Sequence, residues 1–117
     1  MGNWNASEQA NELLDKADDV ISATRSVEKA DAYQALHDAW FGANCEERRA
    51  VAYELDGNKI DSRKYNGDLS ARFEYDKGEL TALHFDWSKS SSMGGLGTAH
   101  LTDNVTLSDP FDGCTFW

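Results

Sequence analysis

Residues 69–87 read LSARFEYDKGELTALHFDW, two alternating runs that meet at Asp76-Lys77-Gly78. In the first run Leu69, Ala71, Phe73 and Tyr75 alternate with Ser70, Arg72, Glu74 and Asp76, the period of a strand with one buried face. In the second, Leu83, Phe85 and Trp87 share a face. A two-residue loop would set Phe73 against Ala82 and turn Phe85 outward, because a one-residue slip reverses every side chain. Parity therefore predicts a three-residue loop closed by Gly78, pairing Tyr75 with Glu79, Phe73 with Thr81, Ala71 with Leu83 and Leu69 with Phe85.

The flanks extend this hairpin into a sheet. Residues 73–80 echo residues 53–60 in character, which predicts a further hairpin turning at Gly57-Asn58, with Leu55 opposite Ile60 and a strand over 49–55. Asn44 ahead of CEERRAVAYEL also permits a capped helix there, but Val51, Tyr53 and Leu55 alternate with Ala50, Ala52 and Glu54. Asn66-Gly67 is the strongest short turn signal, and a tight turn there pairs Ile60 with Phe73 and Ser62 with Ala71. All three turns deliver apolar residues to one face. After Trp87 the run SKSSSMGGLG predicts a mobile loop over 88–97, followed by a fifth strand over about 98–107. Phe111, Phe116 and Trp117 in the tail are expected to pack on the domain.

Upstream, Ala6, Ala10, Leu13, Leu14, Ala17, Val20 and Ile21 have the spacing of an amphipathic helix, with Asn5 and Glu8 resembling a capping box. Ser26 and Gly42 bracket a second helix whose heavy face is Tyr33, Leu36 and Trp40. The expected fold is thus α+β: two N-terminal helices packed on one face of a four- to five-stranded antiparallel meander. A chain of 117 residues forms one domain, 1–117, able to bury roughly two-thirds of its unfolded surface.

Charge is the least ordinary property. Acidic residues number 21 against 11 basic, for a net charge of -10. Residues 1–47 carry ten acids and three bases, so the excess lies on the helices. This disfavours direct binding to nucleic acid or an anionic membrane, both of which demand cations. It favours a basic protein partner such as a nuclease, a toxin or a nucleic-acid-binding effector. Immunity proteins and phage-encoded inhibitors of host defence share this size and charge, and the expected class is an acidic protein-binding inhibitor or antidote, including one that mimics nucleic acid. Glu8, Glu12, Asp15, Asp18 and Asp19 on the first helix are the expected partner-binding residues, and 88–97 is the second contact candidate.

Chemistry is poorly represented. Ser70, His84 and Asp86 share the polar face of the hairpin, but a flat sheet face offers neither a cleft nor an oxyanion site. Arg72 is expected to neutralise Glu74 or Asp86. His84, Asp86, His100 and Asp103 lack a metal-ligand spacing, and His37 stands alone. Met93-Gly94-Gly95-Leu96-Gly97 lacks the Lys-Ser/Thr of a phosphate loop. No catalytic residue, metal or cofactor is expected. Two alternatives remain: a small-ligand or enzymatic pocket between the layers, lined by Tyr33, Trp40, Tyr53, Phe85 and Trp87, and a homo-oligomer built on an open sheet edge.

Cys45 and Cys114 are expected to be free thiols in a reducing compartment, because two cysteines do not make a disulfide framework, with a single bridge between them as the alternative. The N-terminal residues show no basic region followed by an apolar run, and no stretch reaches membrane-spanning length. The expected location is cytoplasmic.

Overall fold

The computed structural model describes residues 4–56, 58–61, 67–92 and 94–114, the side chains of 61, 91 and 92 apart. Three helices, α1 (Ala6–Ser22), α2 (Ser26–Phe41) and α3 (Cys45–Leu55), precede four strands, β1 (Lys59–Asp61), β2 (Asp68–Asp76), β3 (Glu79–Ser92) and β4 (Thr98–Ser108). The strands form an antiparallel meander in the order β1-β2-β3-β4. This is the expected α+β arrangement, with one more helix and no fifth strand among the described residues.

α1 is the inner helix. Asn5 accepts hydrogen bonds from the backbone of Ser7 and Glu8 and starts it. Its apolar residues Ala10, Leu13, Leu14, Ala17, Val20 and Ile21 are all buried, which is a wider stripe than a surface helix needs. Contacts with α2, α3, β2 and β4 account for that width. α2 begins at Ser26 rather than after it, and supplies Leu36 and Trp40 to the same core.

Residues 45–55 are helical, which overturns the strand expected over 49–55. Asn44 accepts from the Glu47 backbone N–H, and the Glu47 carboxylate accepts from the Asn44 N–H, a complete capping box. Val51 and Leu55, four apart, are buried, whereas Tyr53 is 71% exposed. A strand would have put all three on one face. The short alternation in this stretch is also compatible with a helical stripe, and the cap decides between them.

The central hairpin keeps the expected face but not the expected register. Lys77 and Gly78 both have positive φ (53° and 82°) and form a two-residue turn, so Asp76 faces Glu79 and Tyr75 faces Leu80. A bulge then drops Thr81 out of the ladder, and pairing resumes as Glu74 with Ala82, Phe73 with Leu83, Ala71 with Phe85 and Leu69 with Trp87. The extra residue restores the parity that the short turn would have broken. The Thr81 hydroxyl donates to the Glu74 carbonyl at 3.2 Å, and its own carbonyl accepts from the Asp109 N–H at 2.9 Å.

Ile60 pairs with Leu69 instead of Phe73, again with parity kept. The turn expected at Gly57-Asn58, that at Asn66-Gly67 and the tail residues Phe116 and Trp117 fall wholly or partly outside the described residues. Gly67 itself packs against the indole of Trp87, where a Cβ would lie 2.6 Å from Nε1. The first half of the expected loop over 88–97 is strand, and Gly94–Leu96 form a single 3-10 turn. Ser88 through Ser92 pair with Thr102 through Thr98, because backbone pairing with β4 stabilises a polar strand that side-chain composition does not advertise.

Cys45 and Cys114 form a disulfide, which overturns the expectation of free thiols. The bridge spans 69 residues and ties the start of α3 to the turn that follows β4. It also removes the ground on which a reducing compartment was expected. No helix among the described residues is long and apolar enough to cross a membrane.

Closing a loop of this length constrains the unfolded chain by about 4 kcal/mol in the chain-entropy picture. Replacing both cysteines (Cys45→Ser with Cys114→Ser) is expected to lower the unfolding free energy by about that amount in a denaturant titration. Alkylation of the native or denatured protein without reductant should leave its mass unchanged; two adducts would show that the thiols are free.

Candidate functional site

Glu8, Glu12, Asp15 and Asp19 follow one another at four-, three- and four-residue steps, so they form a single line along α1. All four are exposed. Lys16 lies beside the line, its ammonium 3.8 Å from Glu12, and is the basic residue of this helix.

Asp18 does not belong to this surface. It is 1% exposed and accepts a hydrogen bond from the Ser22 hydroxyl at 3.3 Å. At about 100° per residue it lies nearer the Leu14 edge of the apolar stripe than the acidic line. The sequence signal was its spacing, four residues after Leu14 and three before Ile21. As a buried carboxylate it serves the packing of α1 and is removed from the expected partner-binding set.

A concavity of chemical interest lies between α3, the central hairpin and the turn after β4. It is a cleft of about 930 Å³. α3 contributes Arg49, Ala52, Tyr53 and Asp56, and the turn contributes Asp109, Phe111, Asp112 and Cys114. From β2 come Ala71, Phe73 and Tyr75 of the apolar face together with Ser70 and Arg72 of the polar face. Tyr53 and Tyr75 are 71% and 64% exposed. The sequence marked Tyr53 and Tyr75 as core because it placed both on a covered sheet face; Tyr53 is on a helix, and Tyr75 lies where the helices no longer cover the sheet.

The interior between the layers, by contrast, is filled. Trp40, Phe85 and Trp87 are at most 3% exposed, and the Trp40 indole donates to the Pro110 carbonyl at 2.7 Å. Tyr33 is half-buried, its hydroxyl donating to the Thr106 carbonyl at 3.0 Å. Of the aromatic residues expected to line an interlayer pocket, Trp40, Phe85 and Trp87 are therefore solid core, Tyr33 packs against it half-buried, and Tyr53 faces the outer cleft.

On the open face of the sheet the shifted register places Arg72 opposite His84 and Ser70 opposite Asp86. A continuous polar chain results. The Arg72 guanidinium donates to Asp86 at 2.6 Å, Asn104 donates to the same carboxylate at 2.7 Å, and the Thr106 hydroxyl donates to the Asn104 side-chain carbonyl at 2.9 Å. His84 joins it, with Nδ1 2.8 Å from the Thr106 hydroxyl and Nε2 3.0 Å from Glu74. Both ring nitrogens are thus engaged, and neither is left to activate Ser70. His100 stands beside Ser90, six positions along β3 from His84, on the order of 20 Å away. The residues considered for a triad or a metal site are consequently cross-strand partners or far apart.

Partial burial pushes the Asp86 carboxyl up, but the hydrogen bonds from Arg72 and Asn104 and the Arg72 charge outweigh it and hold it below the usual carboxylate range. A carboxyl whose folded value is depressed adds stability above its unfolded value, and that contribution disappears as pH falls through the folded value. Asp86→Asn is expected to lower the thermal midpoint modestly at neutral pH, since the Arg72 pair is solvent-exposed. Its deficit relative to the parent chain should shrink progressively below the carboxylate range in a melting series against pH. A deficit that stays constant to low pH would show that the side-chain amide disrupts packing and that the charge contributes nothing.

Comparison with protein-family models, curated proteins and solved structures finds no match to this chain, so the functional reading rests on its own surface chemistry.

Proposed function

We propose that this chain is a non-enzymatic, acidic protein-binding inhibitor or antidote that covers a basic surface of a nucleic-acid-handling protein. The observation that carries the proposal is the single line of exposed carboxylates, Glu8, Glu12, Asp15 and Asp19, on a helix whose apolar side is buried against four elements. A charge array on so constrained a helix keeps its spacing on binding. It would therefore present a fixed negative pattern to a cationic surface without a large ordering cost.

Attraction between the acidic line and a basic partner raises the association rate and discriminates against neutral or acidic surfaces. The net charge of -10 extends the same bias to the whole molecule. The site of encounter is open. Cytoplasmic action remains part of the proposal, and there the Cys45–Cys114 bridge would have to persist against cellular thiols.

The test is a charge reversal. With a partner isolated on the parent chain, the triple variant Glu12→Lys, Asp15→Lys, Asp19→Lys is expected to associate roughly ten- to a hundred-fold more slowly at low salt in a stopped-flow measurement. Raising the ionic strength should bring the two chains together, because exposed charges are screened. Equal association rates for the two chains at low salt would eliminate the α1 line as a contact surface.

A further inference from the structure

Among the described residues, β2 has an open edge beside the acidic cleft. One edge is occupied by β3 over its whole length. On the other, β1 pairs only with Asp68, Leu69 and Ser70, and among the described residues no strand pairs with 71–76. Side chains from both faces of β2, Phe73 and Tyr75 from one and Ser70 and Arg72 from the other, line the same cleft. A cavity touched by both faces of a strand must run along its edge, since successive side chains point to opposite sides of the sheet. Among the described residues, no strand lies beside this edge over 71–76.

We infer that the cleft takes an extended, arginine- or lysine-bearing segment of a protein partner, added as a strand to residues 71–76 of β2. An unpaired strand edge presents alternating N–H and C=O groups that an incoming extended chain satisfies. Length sets the size of the occupant, an extended segment of about six residues at about 3.4 Å each. The open stretch of β2 is six residues long.

Charge selects the occupant. Asp56, Glu79, Asp86, Asp109 and Asp112 line the cleft against Arg49 and Arg72, and Arg72 is already held by Asp86. The exposed rings of Tyr53 and Tyr75 add surfaces on which a guanidinium stacks favourably. Phe73, Phe111 and Ala52 supply apolar floor for the intervening side chains. The inference rests on the reading that the partner is a basic protein, and it adds where a segment of that partner sits and in what conformation.

The experiment uses the intact, disulfide-bonded chain, labelled for amide spectroscopy, and an acetylated, amidated octapeptide of alternating arginine and valine. Backbone amides of 71–76 and of Ala52, Tyr53 and Asp56 should shift on titration, while those of the first three turns of α1 stay in place. Two further peptides, N-methylated on one or the other set of alternate residues, separate strand addition from simple attraction. Only one set faces β2, so one methylated peptide should lose roughly tenfold or more in affinity and the other should bind as the parent does. Asp56→Lys with Asp112→Lys should weaken binding by a similar factor, with unchanged shifts in α1 and β4 showing that the fold is kept. A glutamate–valine octapeptide should not bind.

Equal binding of both methylated peptides, shifts along the α1 line, or no binding of the arginine–valine peptide would each overturn the inference. So would protection of the 71–76 amides by a dimer of this chain that forms without peptide. The Glu12→Lys, Asp15→Lys, Asp19→Lys variant keeps the two proposals apart. It should bind the peptide much as the parent chain does even where its association with the whole partner is slowed, and loss of peptide binding in that variant would transfer the contact to α1.

Discussion

The buried hydrogen bond from the Trp40 indole to the Pro110 carbonyl joins the helical layer to the end of the sheet, and much else is arranged around it. Pro110 is fully buried, and leaving its carbonyl without a donor would cost about 1–3 kcal/mol. Phe111 packs edge-on against the Trp40 ring. Arg48 approaches from α3 and donates to the carbonyls of Phe41, Ala43 and Asp112, satisfying the end of α2 and the turn after β4 together. The disulfide from Cys45 to Cys114 closes the same junction covalently. Three chemically different links thus hold one short turn, and that turn fixes β4 and α3 with respect to each other.

This junction has a consequence for the surface. By drawing α3 toward the end of β4, it places the exposed Tyr53 side of that helix across from the hairpin end of β2, where the helical layer no longer covers the sheet. The apolar face therefore continues past its cover at Tyr75 and Leu80. A packed interior and an open cleft are products of the same geometry: α1 fills the middle of the layer, and among the described residues no helix of equal breadth covers its edge. The acidic line on α1 is a further product, because a helix whose apolar side is buried has its outer face left for charge.

How much of this was legible depended on which physical constraint governed each element. Burial parity was legible, so Leu69, Phe85 and Trp87 were placed on the correct face. Register was not, because a two-residue turn plus a bulge at Thr81 preserves parity as well as a three-residue turn does. The capping box from Asn44 to Glu47 was written in the chain, but Val51, Tyr53 and Leu55 satisfy both a two-residue and, in part, a four-residue period, and the echo with the central hairpin favoured the wrong one. The disulfide could not be read from two cysteines 69 residues apart, since only the docking of the final turn on α3 brings them together. Of the five carboxylates expected at the surface, Asp18 was misplaced because it lies at the border of the apolar stripe, where a small rotation of α1 decides between water and core.

An open strand edge is ordinarily a liability, since it invites pairing with another copy of the same chain. Here the groups around it act against that outcome. Two copies meeting edge to edge about a two-fold axis would bring Asp56, Glu79, Asp109 and Asp112 of one cleft toward those of the other, and like charges at close approach disfavour the pair. The same carboxylates favour an incoming segment that carries cations. On the proposed reading the same charge pattern would disfavour self-association and favour a basic partner, specificity being gained by repulsion as well as attraction. The acidity of the helices and the acidity of the cleft then have one meaning under that proposal: both would bias the molecule against copies of itself and nucleic acid and toward a segment of the opposite charge at the β2 edge.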